Sequence, residues 1–122
     1  MGFLVTTQQK NSIPFLVRRV FWVYNVPSLV VRGQHAHKTT NMVLICLQGT
    51  VSIEVENVDG VKQDFHLATP QQGLYLPAMY WSRISLEPSS ILLSLASSDY
   101  EEEDYIRDYN FFKSLGTGAN SK

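Results

Sequence analysis

Residues 51–67, VSIEVENVDGVKQDFHL, have the pattern of two β-strands joined by a tight turn. Apolar side chains at 51, 53 and 55 alternate with polar ones, as expected of a strand with one buried face. The residues at 57–60 supply the turn, because Asn, Asp and Gly tolerate the backbone angles of tight hairpins. The sequence therefore predicts a β-hairpin with strands over 51–56 and 61–67, in which His66 lies on the solvated polar face.

Short apolar runs separated by Gly and Pro turns continue this pattern on both sides of the hairpin. Strands are predicted at Phe3–Thr6, Val17–Tyr24, Leu29–Val31, Val43–Leu47, Leu74–Leu76, Trp81–Leu86 and Ile91–Ala96. The segment 17–24 is largely apolar on both faces, as in a buried or barrel strand. Strands at this regular spacing are typical of an antiparallel sandwich or barrel, so the predicted fold class is all-β.

The C-terminal region has a different periodicity. Asp99 and Glu102 form a helix capping box, and apolar residues follow at helical spacing: Tyr105, Ile106, Tyr109 and Phe112. One short α-helix is therefore predicted to pack on the outside of the barrel. The acidic run 101–104 is interpreted as the first turn of that helix, where negative charge is favoured, and not as a metal or substrate site. A single domain is predicted over 1–115, followed by a disordered tail at 116–122.

Length, charge and cysteine content limit the class of protein. A chain of 122 residues fits one domain with one core, and a formal net charge of −1 gives no basic field for duplex nucleic acid. Cys46 is the single cysteine and lies in an apolar run, so we expect a buried thiol. No apolar run approaches the roughly 20 residues of a membrane span, and residues 1–5 do not resemble a signal peptide. We therefore expect a cytoplasmic protein that binds neither nucleic acid nor membrane.

Two of the three histidines lie in the segment RGQHAHK, residues 32–38. Side chains two positions apart in a strand share a face, so His35 and His37 are predicted to point the same way. Two adjacent imidazoles suit either half of a metal site or an acid/base pair that titrates near neutrality. Buried structural histidines with satisfied hydrogen bonds are the third interpretation.

A small barrel with His-x-His opening onto its interior, followed by a Gly turn and a Pro-rich turn, resembles the cupin pattern. That resemblance implies an antiparallel jelly roll. Metal-binding cupins add a Glu or Gln soon after the second histidine and a third histidine in a later motif, but neither 38–42 nor 74–82 supplies these residues. Two ligands are too few for a tight transition-metal site, so no metal is predicted and acid/base chemistry is favoured.

Seven blocks narrow the resemblance: IPF at 13–15, RRVF at 18–21, RGQHAHK at 32–38, GLYLP at 73–77, Trp81, LAS at 95–97 and DYIRDY at 104–109. Together they cover nearly the whole chain and resemble the sugar nucleotide 3,4-ketoisomerases, the WxcM-like or FdtA-type cupins. The resemblance implies a homodimer without metal or other cofactor that converts dTDP-4-keto-6-deoxyglucose to its 3-keto isomer. An aminotransferase then uses that isomer for dTDP-3-amino sugars of bacterial surface glycans, such as lipopolysaccharide O-antigen and S-layer glycans. In this family the pair matching His35 and His37 transfers the proton.

The chain departs from the family's pattern in several places. The usual Asp-x-Arg-Gly near the start is absent, as in a truncated chain or a domain of a bifunctional protein. Met42, Ala68 and Ser82 stand where members often carry Gln, Asp and His. These changes allow a different substrate or product stereochemistry, and they favour the alternative of a non-catalytic sugar-nucleotide-binding cupin. A metal-dependent cupin enzyme is the other alternative.

The residues also suit this reaction on chemical grounds. Moving a carbonyl from carbon 4 to carbon 3 requires loss of the carbon 3 proton, an enediol, and return of a proton at carbon 4. A histidine with a pKa near 6.5 accepts and donates protons at neutral pH, and such positioned catalysis contributes roughly 10²–10⁴-fold.

Candidate substrate-binding residues follow from the charges and rings that a nucleotide sugar presents. Arg32 is the candidate for stabilising the enediolate, and Arg19 and Arg32 are the candidates for binding the diphosphate. Tyr75 or Trp81 is predicted to stack on the base or the sugar. Core packing is the alternative for both aromatic residues.

Overall fold

The computed structural model describes residues 2, 4–7, 13–28 and 30–116. Within these ranges the elements follow in the order β1 (Arg19–Tyr24), β2 (Val31–His37), β3 (Met42–Gln48), β4 (Val51–Glu56), β5 (Lys62–Leu67), β6 (Gly73–Leu76), β7 (Trp81–Leu86), β8 (Ile91–Ala96), a 3₁₀ turn (Glu102–Asp104), β9 (Tyr105–Ile106) and α1 (Tyr109–Ser114). The predictions made for Phe3, Leu29 and the tail 117–122 fall outside the described residues. Gly116, at the predicted start of the tail, packs against Val58.

Two antiparallel sheets form the barrel. One has the strand order β1-β8-β3-β6, and the other has the order β5-β4-β7-β2-β9. The predicted hairpin is present as β4 and β5, paired from Val51 opposite Leu67 to Glu56 opposite Lys62. The structure therefore confirms an all-β antiparallel fold that carries one short C-terminal α-helix.

Apolar side chains from both sheets meet in one core. Leu44 on β3, Ile53 on β4 and Leu92 on β8 are almost fully buried there. Burial of each such side chain stabilises the fold by about 1.5–3 kcal/mol. Cys46 is also buried in this core, as predicted, and its thiol donates to the carbonyl of Gln48 at 3.2 Å.

The first strand of the barrel buries only one of its two faces. Phe21 and Val23 pack towards the core, whereas Val20, Trp22 and Tyr24 are 49%, 59% and 63% exposed. Of the two interpretations of segment 17–24, a buried strand or a barrel strand, the structure supports the barrel strand, because alternate side chains of β1 point away from the barrel. With neighbouring residues of β3 and β8 the exposed side chains form an apolar surface, here called the outer apolar face: Val20, Trp22, Tyr24, Leu47, Ile91 and Leu93.

The other predicted N-terminal strand is not formed. Residues 4–6, which fall in the predicted strand Phe3–Thr6, have no regular secondary structure. This short apolar run pairs with none of the described strands, so no ladder of backbone hydrogen bonds holds it extended.

The C-terminal helix begins later than predicted. α1 starts at Tyr109, and the side chain of Asp108 caps it by accepting the backbone N–H of Phe111 at 3.2 Å. The predicted capping box of Asp99 and Glu102 is wrong, since residues 102–104 form a 3₁₀ turn without a side-chain cap.

The acidic run instead leads into a strand. Tyr105 and Ile106 are extended and pair with His37 and Ala36 of β2. Backbone hydrogen bonds to the open edge of β2 and the burial of Ile106 outweigh the helical spacing of these residues. Residues 102–114, here called the C-terminal arm, are therefore a turn, a strand and a helix that cross the end of β2.

A buried carboxylate fixes the C-terminal arm to the barrel. Glu56 on β4 is 1% exposed and accepts hydrogen bonds from the Tyr109 hydroxyl at 2.8 and 3.0 Å and from Lys113 Nζ at 3.2 Å. Arg83 Nη1 lies 3.3 Å from the same carboxylate. Burial alone would raise the pKa of Glu56, but these hydrogen bonds outweigh it and lower that pKa.

None of the helices in the described part of the chain is long and apolar enough to span a membrane.

Candidate active site

A cavity of about 230 Å³ lies between the two sheets. Apolar side chains of β1, β3, β7 and β8 form much of its wall. Its polar lining is made by Arg32, His35, His37, Ser82, Ser94, Tyr105 and Arg107. The cavity therefore combines an apolar interior with titratable and cationic groups contributed by β2 and by the C-terminal arm.

A backbone irregularity in β2 precedes the histidines. The pairing of β2 with β7 shifts register between Gly33 and His35, and both Gly33 and Gln34 have positive φ, 80° and 56°. A Cβ at position 33 would lie 3.0 Å from both the carbonyl and the hydroxyl oxygen of Ser82. Glycine is therefore required there, and the resulting bulge brings the β2 backbone close to β7.

Beyond the bulge, β2 alternates in the ordinary way. Ala36 is fully buried in a second apolar cluster, while His35 and His37 both line the cavity. The two imidazole rings are 5.1 Å apart and perpendicular. The prediction that these histidines share a face is confirmed.

The side chain of His37 is held by a carboxylate from the C-terminal arm. His37 Nδ1 lies 2.8 Å from Asp104 Oδ2, and the two side chains are 6% and 10% exposed. Burial alone would raise the pKa of Asp104, but hydrogen bonds from Thr40, Thr39 and His37 outweigh it and hold that pKa well below its usual range. Asp104 is therefore an anion that only accepts, so His37 carries its proton on Nδ1 and has its lone pair on Nε2.

His35 has the same tautomer for a different reason. Its Nδ1 lies 2.9 Å from the carbonyl oxygen of Gly33, which accepts and cannot donate. Burial, and then the nearby charge of His37 when protonated, lower the pKa of His35 from 6.5 to about 4. At neutral pH His35 is thus an uncharged imidazole with its lone pair on Nε2.

Burial also lowers the pKa of His37, but here a neighbour opposes it. The hydrogen bond and the negative charge of Asp104 raise that pKa, while Arg19 and Arg107 lower it further. The two histidines therefore differ in their surroundings, since only His37 of the pair contacts an anion within the described residues. Protonation is more favourable at His37 than at a ring with the same burial and no carboxylate.

Three arginines surround the histidines. Arg32 and Arg107 line the cavity, and Arg107 forms a two-pronged ion pair with Glu102 at 2.8 and 3.0 Å. The Arg19 guanidinium lies over the rings of Phe21 and Tyr100, and within the described chain its buried Nε has no hydrogen-bond partner.

The structure brings together some of the predicted site residues and separates others. His35, His37 and Arg32 line one cavity, and Arg19 is close enough to affect the pKa of His37. Trp81 does not line that cavity.

Trp81 packs in the core. It is 4% exposed, with its ring 5.3 Å from that of Tyr109 and 5.6 Å from that of Phe112. Tyr75 lies on the outer side of β6, half-exposed, 6.3 Å from the ring of Phe15, and lines a separate groove. Core packing therefore accounts for Trp81, and neither aromatic is placed to stack on a ligand in the histidine cavity.

The sequence interpretation missed three residues of the C-terminal arm: Asp104, Tyr105 and Arg107. Tyr105 is the aromatic residue at the histidines, with its ring 4.4 Å from His37 and 4.9 Å from His35. The interpretation of the acidic run as the first turn of a helix is wrong, and Asp104 in that run accepts a hydrogen bond from His37. Tyr105 and Ile106 are residue types favoured in strands, but their spacing fits a helix equally well, so no local pattern indicated this part of the site.

No group of three or more His, Cys, Asp or Glu side chains in the described residues is arranged to hold a metal ion. The prediction of a metal-free protein stays a prediction.

Comparison with known proteins identifies the family. The profile of FdtA, described as WxcM-like, C-terminal, matches residues 1–117. The chain belongs to the FdtA family. A TDP-4-oxo-6-deoxy-α-D-glucose-3,4-oxoisomerase of Aneurinibacillus thermoaerophilus is 34% identical to this FdtA-family chain over 113 residues, which are 92% of this chain and 81% of that protein.

Solved structures agree with this assignment. A mutant of the 3,4-ketoisomerase QdtA from Thermoanaerobacterium thermosaccharolyticum, in complex with TDP-4-keto-6-deoxyglucose, has a TM-score of 0.91 and 34% identity, covering 99% of this chain and 88% of QdtA. WlaRA, a TDP-fucose-3,4-ketoisomerase from Campylobacter jejuni, has a TM-score of 0.83 and 30% identity, covering 93% and 92% of the two chains. A dTDP-4-dehydrorhamnose 3,5-epimerase from Bacillus anthracis, 12% identical with a TM-score of 0.69, shares the fold alone. The predicted family and fold class are confirmed.

Proposed function

We propose that this FdtA-family chain is a 3,4-ketoisomerase that moves the keto group of TDP-4-keto-6-deoxyglucose from carbon 4 to carbon 3. Its relatives are named for this isomerisation, and one was solved with this nucleotide sugar. The observation that carries the proposal is the pair His35 and His37, whose Nδ1 atoms are both bound to acceptors, so that both Nε2 lone pairs are available in one cavity.

His35 is the proposed base for the carbon-bound proton, because burial keeps its imidazole neutral at pH 7. Its Nε2 removes the proton at carbon 3, and the electron pair of that C–H bond forms the double bond between carbons 3 and 4. The carbonyl oxygen at carbon 4 then carries the negative charge of an enediolate. Return of the same proton to carbon 4 regenerates neutral His35.

His37 is proposed to move the second proton, from the hydroxyl oxygen at carbon 3 to the oxygen at carbon 4. Its Nε2 accepts the hydroxyl proton as the new carbonyl forms at carbon 3, and the resulting imidazolium is stabilised by Asp104. Because the rings are only 5.1 Å apart, two imidazolium ions at once are unfavourable. His35 therefore returns its proton to carbon 4 as His37 accepts the hydroxyl proton, so that only one of the two rings is charged at a time. Because both protons return to the sugar, the reaction needs no oxidant or reductant.

The cationic groups suit the rest of the substrate. A volume of about 230 Å³ lies below the roughly 300–1,000 Å³ typical of sites that enclose a drug-sized ligand. The cavity therefore suits the sugar, with the diphosphate nearer the arginines. We assign Arg32, which lines the cavity, to binding both the enediolate and the diphosphate, and Arg19, which lies near His37, to binding the diphosphate.

The experiment is incubation with TDP-4-keto-6-deoxyglucose in deuterium oxide, followed by NMR. We expect the 3-keto product, with deuterium at carbon 4 in the fraction of turnovers in which the His35 proton exchanges with solvent. Tight TDP binding without product, and without exchange at carbon 3, would show a non-catalytic binding protein instead.

The proposal includes a homodimer in the cytoplasm. The outer apolar face supports the dimer, since exposed apolar patches of this kind mark protein interfaces. A lone buried cysteine suits a reducing compartment. The family resemblance further implies that an aminotransferase consumes the 3-keto sugar on the way to a surface glycan.

A further inference from the structure

We propose that Asp104 is a positioning residue for the isomerase reaction: it fixes His37 in the Nδ1–H tautomer and so directs Nε2 to the substrate. The inference rests on the proposed function for its catalytic consequence, but the tautomer of His37 is measurable without any turnover.

The carboxylate of Asp104 is held on both oxygens. Oδ1 accepts from the backbone N–H of Thr39 at 2.7 Å and from its hydroxyl at 2.8 Å. Oδ2 accepts from the Thr40 hydroxyl at 2.5 Å and from His37 Nδ1 at 2.8 Å. The main chain adds a further bond, because the Lys38 N–H donates to the Asp104 carbonyl at 2.7 Å. The carboxylate therefore cannot rotate without breaking several hydrogen bonds, and the imidazole that it holds is fixed with it.

This arrangement predicts what an amide would do in the same place. The Thr39 backbone N–H can only donate, so an asparagine at 104 keeps its carbonyl oxygen in the Oδ1 position. Its NH₂ group then replaces Oδ2 and donates to His37 Nδ1. His37 must move its proton to Nε2, and the lone pair that faces the substrate is lost. In a site built on a histidine and an orienting aspartate, this wrong tautomer has cost about 10⁴-fold in kcat.

Asp104→Asn should also change the pKa of His37, because of the charged groups around the ring. His35 on β2, Arg19 on β1, and Tyr105 and Arg107 in the C-terminal arm face the ring. The two arginines disfavour imidazolium, and the Asp104 carboxylate is the anion that favours it. Removing that charge should therefore lower the pKa of His37 as well as change its tautomer.

The experiment compares Asp104→Asn with two control variants. Glu103→Gln removes the neighbouring exposed acid from the same 3₁₀ turn, and Thr40→Val removes one hydrogen bond to Asp104 while leaving its carboxylate on His37. For each protein we would measure kcat, KM, the pH profile of kcat, calorimetric unfolding and TDP binding. The tautomer is read from two-bond ¹⁵N–¹H correlations of labelled histidine.

We expect Asp104→Asn to lower kcat by about 10²-fold or more with TDP affinity little changed, and to convert His37 to the Nε2–H tautomer. Glu103→Gln should match the unmodified protein in all measurements, and Thr40→Val should keep the Nδ1–H tautomer and most of the activity. A His37 that remains Nδ1–H in Asp104→Asn would overturn the inference, as would an equal loss of kcat in a Thr40→Val protein whose His37 keeps the Nδ1–H tautomer. If the unmodified protein turns over no substrate, the proposed function fails, while the tautomer measurement still tests the role of Asp104.

Discussion

Part of the stability that this protein loses at low pH should come from the side chain of His35. Its pKa is about 4 in the folded protein, because of burial and then of His37, against 6.5 for a free histidine. A lowered histidine pKa means that the unfolded chain binds the proton more tightly. The contribution of His35 to stability is therefore complete above about pH 6.5 and is lost as the pH falls towards 4. Between about pH 7.5 and about pH 5 the loss is about 2 kcal/mol.

The assay is urea unfolding of the unmodified protein and of His35→Asn at these two pH values. Carboxylates whose pKa values are lowered, such as Asp104, also contribute to the loss of stability on acidification, but they are present in both proteins. We expect the unmodified protein to lose about 2 kcal/mol more than the variant over this range. Equal losses in the two proteins would refute the reasoning, since the buried histidine would then not be linked to protons.

The pKa of His35 also determines the pH at which kcat/KM falls in the acid range. At about pH 5 a histidine with a pKa of 6.5 is only about 3% neutral, whereas one with a pKa of about 4 is about 90% neutral. Turnover should therefore persist well below pH 6.5 when kcat/KM is followed across the acid range. Half-maximal kcat/KM near pH 6.5 would contradict the assignment of His35 as a buried base.

Four further outcomes are expected. His35→Asn and His37→Asn should each lower kcat by about 10²-fold or more in a steady-state assay, and the double variant should be little worse than the less active single variant. His66→Asn should have nearly normal activity. Normal turnover in either of the first two variants would mean that other residues carry out the proton transfer. Metal analysis should find less than stoichiometric metal, and activity should survive a chelator; a stoichiometric metal whose removal abolishes activity would contradict this. Light scattering should give a dimer mass, which Trp22→Lys on the outer apolar face should shift towards the monomer; a monomer mass for the unmodified protein at micromolar concentration would count against the dimer. Glu56→Ala should lower the free energy of unfolding by about 1–3 kcal/mol in calorimetry, because it removes the acceptor of the Tyr109 hydroxyl and of Lys113; a change well under 1 kcal/mol would disprove the anchoring role.

The parts of the fold that the sequence predicts well depend on local patterns. The β4–β5 hairpin has its alternation and its turn within 17 residues. β8 is predicted at its observed bounds because a turn containing Pro88 precedes it and polar residues follow it. The C-terminal arm is different, since Tyr105 and Ile106 fit a helical stripe and an extended strand equally well. Only the open edge of β2, far away in sequence, decides in favour of the strand.

The candidate site follows the same division. The pairing of His35 and His37 on one face needs only the two-residue period of a strand, so the sequence predicts it. The bond from His37 to Asp104 joins residues 67 positions apart, and nothing local indicates it. At Trp81 the error is the opposite one, since the sequence interpretation offered as a binding residue a side chain that packs in the protein interior. A large aromatic residue in a family motif is equally well explained by packing.

The pairing of β9 with the end of β2 also has a consequence for synthesis of the chain on the ribosome. Strands β1 to β8 are made before the C-terminal arm, and domains begin to fold while their chains are still growing. A nascent chain folded as far as β8 would hold both histidines in its barrel but would have no Asp104 beside His37. The isomerase site is therefore complete only when the last strand has left the ribosome and paired with one of the first.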